Sequence, residues 1–115
     1  MGLIYALIDT DNDAPYYVGK TTDADRRYQA HLDSPLPTTR RLLAEGKKPV
    51  MRVLGCYSEI WTSFCEQAWI NRLLSQGAQL ENAALPSSDI RFAGDDDSQI
   101  IIAGVVRSPE RISLD

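Results

Sequence analysis

The sequence predicts an α+β domain whose elements run ββααβα, with one further strand near the C-terminus. Three observations carry that reading. Two short apolar runs flank an acidic turn closely enough to pair. Two helical stretches lie between start and stop signals in the middle of the chain. A third apolar run leads into the longest helical segment.

The first strand is Leu3 to Asp9, followed by the turn Asp9-Thr10-Asp11-Asn12-Asp13. Tyr16-Tyr17-Val18-Gly19, aromatic and β-branched, is the second strand, and the two runs form an antiparallel hairpin. Pro15 lacks a backbone donor, which restricts it to the start or the edge of a sheet. Thr22 is read as the N-cap of a first helix, with Asp23 and Asp25 in the turn where acids suit the helix dipole. That helix runs to about Leu32, and Pro35 breaks the chain. A second helix runs from about Pro37 to Glu45 and is closed by Gly46.

Val50 to Tyr57 alternates as a third strand. Ser58 is placed to cap the longest helix, roughly Glu59 to Ser75, which ends at Gly77. Leu80-Glu81-Asn82-Ala83 follows as a short segment. Pro86-Ser87-Ser88-Asp89 and Gly94-Asp95-Asp96-Asp97-Ser98 read as loops, and the acids of the second as a solvated turn rather than a second metal site. Ile100-Ile101-Ile102-Ala103-Gly104-Val105-Val106 reads as one strand, packed on the sheet or on a second copy of the chain. Residues 1–84 are thus expected to form the main domain, and 85–115 an extension packed on it.

At 115 residues, 43% hydrophobic and 24% charged, the chain fits one globular domain that buries a core without metal or disulfide staples. Its net charge of -4 argues against coating nucleic acid nonspecifically, which needs a basic footprint. It leaves room for a nuclease whose cations gather on one face. His31 is the one histidine, so a zinc site built on His pairs is excluded. Cys56 and Cys65 suit reduced thiols. The apolar start is short and has no basic leader, and no run approaches the ~20 apolar residues of a membrane helix. A cytoplasmic protein with no membrane partner is expected.

Tyr5 and Tyr17 sit on the two hairpin strands, with Lys20 close behind the second. Phenols, with a pKa near 10, are poor bases unless a cation is close, and either tyrosine alone reads equally as a core aromatic with its polar tip at the surface. On the first helix Ala24, Tyr28 and Leu32 are expected to face the core, with Arg27 and His31 as i,i+4 neighbours on the flank. Arginine grips phosphate in bidentate fashion, although such a pair alone also reads as a solvated flank. Glu59 suits the first turn of the long helix. Glu66 lies among Phe64, Cys65, Ala68, Trp69 and Ile70, where a carboxylate needs either a cation or a partner such as Arg72. Asn82, in a turn, orients a phosphate or caps a backbone group.

Together these residues resemble the GIY-YIG nuclease family. Its pattern is matched by Ile4-Tyr5, by Tyr17-Val18-Gly19-Lys20-Thr21, by Arg26-Arg27-Tyr28-Gln29-Ala30-His31-Leu32 and by Cys65-Glu66-Gln67-Ala68-Trp69-Ile70, with Asn82 downstream. Leu3 stands where the family name has glycine, and Val18 where it has isoleucine. The resemblance covers about residues 3 to 84.

The resemblance implies a three-stranded antiparallel sheet flanked by helices and a single-metal DNA endonuclease using Mg2+, with Mn2+ as a substitute. It implies that Tyr5, Tyr17, Arg27, His31 and Glu66 are catalytic, with Glu66 the metal ligand. Tyr5 would position or deprotonate the attacking water, and His31 is a second candidate base. Gly19, Lys20 and Asn82 would meet the substrate. Arg40, Arg41, Lys47, Lys48 and Arg52 cluster in mid-chain and are read either as phosphate contacts or as solvated charge. A nucleic-acid-binding module that kept the fold and lost catalysis is the alternative function. RNA as substrate, and the choice between monomer and homodimer, stay open.

Overall fold

The computed structural model describes residues 1–83 and 89–113. The expected loop over Pro86-Ser87-Ser88 and the boundary drawn between 84 and 85 lie outside the described residues. Strands β1 (Gly2–Asp9), β2 (Ala14–Thr21) and β3 (Val50–Tyr57) form a three-stranded antiparallel sheet in the order β2-β1-β3. Helices α1 (Ala24–Asp33) and α2 (Pro37–Ala44) follow the hairpin, and α3 (Glu59–Ser75) follows β3. The fold is therefore α+β with the expected element order. Among the described residues no helix is long and apolar enough to cross a membrane.

β1 is central and almost wholly buried, as a strand with one face under each helical layer must be. Ile4 packs with Val18, Tyr57 and Cys65 in the core cluster shared with α3. Tyr5 and Leu7 pack with Tyr16 on the opposite face, against Leu36 and Met51. A bulge at Tyr16, where Leu7 pairs with Tyr17 but Ile8 with Pro15, lets both Tyr16 and Tyr17 join that second cluster. Leu3 pairs with both Thr21 and Cys56 as an ordinary strand residue, so a leucine there costs the backbone nothing.

Several local expectations are corrected. The cap of α1 is Asp23, whose carboxylate accepts from the Arg26 N–H at 3.1 Å, and not Thr22. The one buried residue of α1 is His31, while Ala24, Tyr28 and Leu32 are only half-buried. Ser58 precedes α3 without a side-chain cap. Glu81, from the segment after α3, does for α2 what Leu36 at its N-cap does not. Its carboxylate accepts from the Thr38 N–H at 3.1 Å and from the Thr38 hydroxyl.

The single strand expected over residues 100–106 is instead a hairpin. Ala103 and Gly104 both have positive φ (50° and 82°) and reverse the chain between β5 (Ile100–Ile102) and β6 (Val105–Arg107). With β4 (Ile90–Phe92) they make a second antiparallel sheet, β4-β5-β6. Ile90, Phe92 and Ile100 bury into the cluster under α3. The acids before β5 serve as anchors. Asp96 accepts from the Ser98 N–H and hydroxyl, and Asp97 accepts from the Tyr57 hydroxyl at 2.8 Å and from Arg111 at 2.9 Å.

Candidate active site

The site is built around the hydroxyl of Tyr5. Strand alternation turns Tyr5 to the face covered by α1, opposite Gly19 on β2. A Cβ on Gly19 would overlap the Tyr5 hydroxyl and lie 2.6 Å from Cζ and 2.9 Å from Tyr17 Cε2. The missing side chain is thus what lets the Tyr5 ring lie across β2 and deliver its hydroxyl to that edge. His31 Nε2 is 2.7 Å from Tyr5 Oη, and Arg27 Nε donates to the same oxygen at 3.2 Å. Tyr17 meets His31 edge-on, with ring centroids 5.1 Å apart, and its ring lies 6.3 Å from that of Tyr5.

Burial pushes the Tyr5 phenol above its ordinary pKa, and the Arg27 hydrogen bond opposes that rise. Burial, helped by the Arg27 charge, holds His31 below 6.5. The hydrogen bond to Tyr5 keeps Arg27 firmly cationic. At neutral pH the cluster therefore holds a neutral phenol, a neutral imidazole and one guanidinium.

Glu66 approaches from α3 on the other side of the sheet, close enough for its charge to act on Tyr5. It is half-buried, and desolvation raises its pKa while Lys20 counters the rise. Lys20 itself donates to Ser63 Oγ at 2.6 Å. The alternative partner for Glu66 is engaged elsewhere: the Arg72 guanidinium stacks 4.4 Å over the Phe92 ring and donates to the Asp96 carbonyl at 2.6 Å and to the Gly94 carbonyl. Among the described residues no group of three or more His, Cys, Asp and Glu side chains gathers to hold a metal. A lone, partly desolvated carboxylate still fits magnesium, which takes one or two protein carboxylates and completes its shell with water and phosphate oxygens.

The remaining candidates fall in other places. Asn82 lies against the outer edge of β2, where its amide accepts from the Val18 N–H at 3.2 Å and donates to the Val18 carbonyl at 2.7 Å. Arg41 and Lys47 are tied to Asp9, Asp11 and Glu45 at the hairpin-turn end of β1, and Arg52 reaches Asp13. These cations are not brought to Tyr5. Arg40 reaches the Pro35 carbonyl at 3.5 Å, and among the described residues neither it nor the exposed Lys48 has an ion-pair partner. Sequence reasoning missed Ser63 and the cap from Glu81, both of which depend on contacts about 43 residues apart.

A family model of the GIY-YIG catalytic domain matches residues 1–79. No curated protein and no solved structure matches the chain. The family match spans more than half of the 115 residues and takes in every side chain gathered around the Tyr5 hydroxyl. The chain belongs to the GIY-YIG family, whose catalytic domain is of the nuclease type.

Proposed function

We propose that this protein is a DNA endonuclease that hydrolyses phosphodiester bonds with one divalent cation, magnesium by preference. The observation that carries the reading is the Tyr5 hydroxyl held between His31 Nε2 at 2.7 Å and Arg27 Nε at 3.2 Å. With His31 in its Nδ1–H tautomer, the phenol donates its one proton to Nε2 while one of its lone pairs accepts from Arg27. The attacking water donates to the lone pair left on Tyr5 Oη. As the water attacks phosphorus, its proton passes to Tyr5 while the phenolic proton moves to His31 Nε2. Neither group needs to be charged beforehand, which suits the opposite pKa shifts that burial gives them.

The Arg27 donors not engaged by Tyr5 and Tyr17 serve the phosphoryl oxygens, where charge grows in the transition state. Tyr17 fixes the imidazole plane by edge-on contact. Lys20 contacts a phosphate beside Glu66, and Glu66 holds the cation. The cation would neutralise charge on the scissile phosphate and the leaving oxygen. Arg40 and Lys48, exposed beyond the acid-paired Arg41 and Lys47, extend the landing surface for the backbone. The buried, unpaired thiols of Cys56 and Cys65 fit a reducing cytoplasm.

The test is cleavage of supercoiled plasmid and branched DNA with magnesium, manganese or EDTA, alongside Glu66→Ala and Arg27→Ala. Metal-dependent nicking that vanishes in both variants is the expected result. Near wild-type cleavage by either variant would refute the site assignment.

A further inference from the structure

Lys20 is opposite Ile4 in the register, so its side chain leaves β2 on the face that packs against α3, away from Tyr5. Its ammonium ends on Ser63 Oγ at 2.6 Å. Ser63 is three residues before Glu66 on the same helix, so the two side chains are neighbours one turn apart. Lys20 is also the charge that offsets the burial of Glu66. Yet none of the ion pairs among the described residues joins Lys20 to Glu66.

A flexible ammonium beside a half-buried carboxylate would ordinarily close onto it, because the pair strengthens as water is excluded. Here a hydroxyl intercepts it. Closure would occupy the lone pairs that a cation needs, and the cation would have to displace the lysine before binding. Interception leaves the carboxylate open and the ammonium close by, where an anion bridging to the cation could meet both.

We propose that Ser63 is a positioning residue whose hydroxyl holds the Lys20 ammonium off Glu66, keeping the carboxylate available to a divalent cation. The proposal rests on the reading of Glu66 as the cation ligand. Ser63 and Lys20 are both exposed, so substitutions there spare the core.

The test is Mn2+ binding to the purified protein without nucleic acid, followed by the electron paramagnetic resonance signal of the free ion. Ser63→Ala is expected to weaken Mn2+ roughly two- to fivefold, the equilibrium factor of a partly exposed ion pair. Ser63→Thr, which keeps the hydroxyl, should restore wild-type affinity. In a Lys20→Met background Ser63→Ala should have no effect, because no ammonium remains to close. Unchanged affinity in Ser63→Ala, or an equal loss with and without Lys20, would overturn the proposal. Glu66→Gln separates the two readings. If it binds Mn2+ like the wild type, Glu66 is not the ligand and the underlying site assignment falls; if it loses Mn2+ while Ser63→Ala does not, only the role of Ser63 falls.

Discussion

In the proposed reaction Tyr5 Oη is the atom on which the chemistry turns, and its neighbours set what it can do. A phenol raised by burial is a weak base alone, but beside a neutral imidazole it would pass a proton on as it receives one. The relay requires His31 neutral. Burial and Arg27 hold its pKa below 6.5, so the neutral form persists to a lower pH than for a free histidine, and activity is lost as pH falls through the depressed value. Glu66 must also lose its proton to bind the cation, and its raised pKa adds to the acid limb. The two are separable: saturating magnesium moves the contribution of Glu66 to lower pH and leaves that of His31 in place. With saturating magnesium, the acid limb of log(kcat/KM) is expected below pH 6.5, and Tyr5→Phe should cost about 100-fold or more at all pH values. A limb at or above 6.5 would remove His31 as the proton acceptor. The i,i+4 spacing of Arg27 and His31 was legible in the sequence. The burial of His31 ahead of Ala24, Tyr28 and Leu32 was not, because hydropathy ranks an imidazole below them and only the facing Tyr5 hydroxyl makes its burial favourable.

The edge of β2 is where the elements meet around the site. Tyr17, Gly19 and Lys20 all leave this strand, and an edge strand has unpaired backbone groups along its outer side. The segment after α3 fills them: the Glu81 N–H donates to the Tyr16 carbonyl at 2.7 Å, and the Asn82 amide pairs with both polar groups of Val18. Asn82 thus acts as a short piece of strand made from a side chain. If that is its work, Asn82→Ala costs about 1–3 kcal/mol through the two lost hydrogen bonds, lowers Tm and reduces kcat by loosening Tyr17 and Gly19. A variant with unchanged Tm and raised KM would instead make Asn82 a substrate contact. Strand and helix order was legible because caps, breakers and apolar runs are local signals, and β3 and α3 lie where the apolar runs and caps put them. The hairpin at Ala103 was hidden inside an unbroken apolar run, where a single glycine is a weak turn signal, and the work of Asn82 depends on a strand 64 residues away.

On the scale of the whole molecule, the core extends beyond the residues that match the family. The match ends at residue 79, but the core under α3 is completed by Ile90, Phe92 and Ile100. Phe92 is only 8% exposed; it meets Trp69 edge-on at 5.1 Å and carries the Arg72 guanidinium on its face at 4.4 Å. The acidic turn that follows is tied back to Tyr57 at the end of β3 through Asp97, and Ile112 donates to the Cys56 carbonyl at 2.9 Å. The same helix that presents Glu66 on one side therefore leans on this second sheet with the other. Removing the Phe92 ring would leave a void beside Trp69 and an arginine stripped of its stacking partner. Phe92→Ala is expected to cost about 3–5 kcal/mol, a large share of the roughly 5–15 kcal/mol that holds a small domain folded. It should lower Tm and the urea midpoint together, and activity should fall with the folded fraction while KM for DNA in the folded fraction stays put. An unchanged Tm in Phe92→Ala would mean that the catalytic unit holds its core without the second sheet, and that the packing of β4 against α3 contributes little to the position of Glu66.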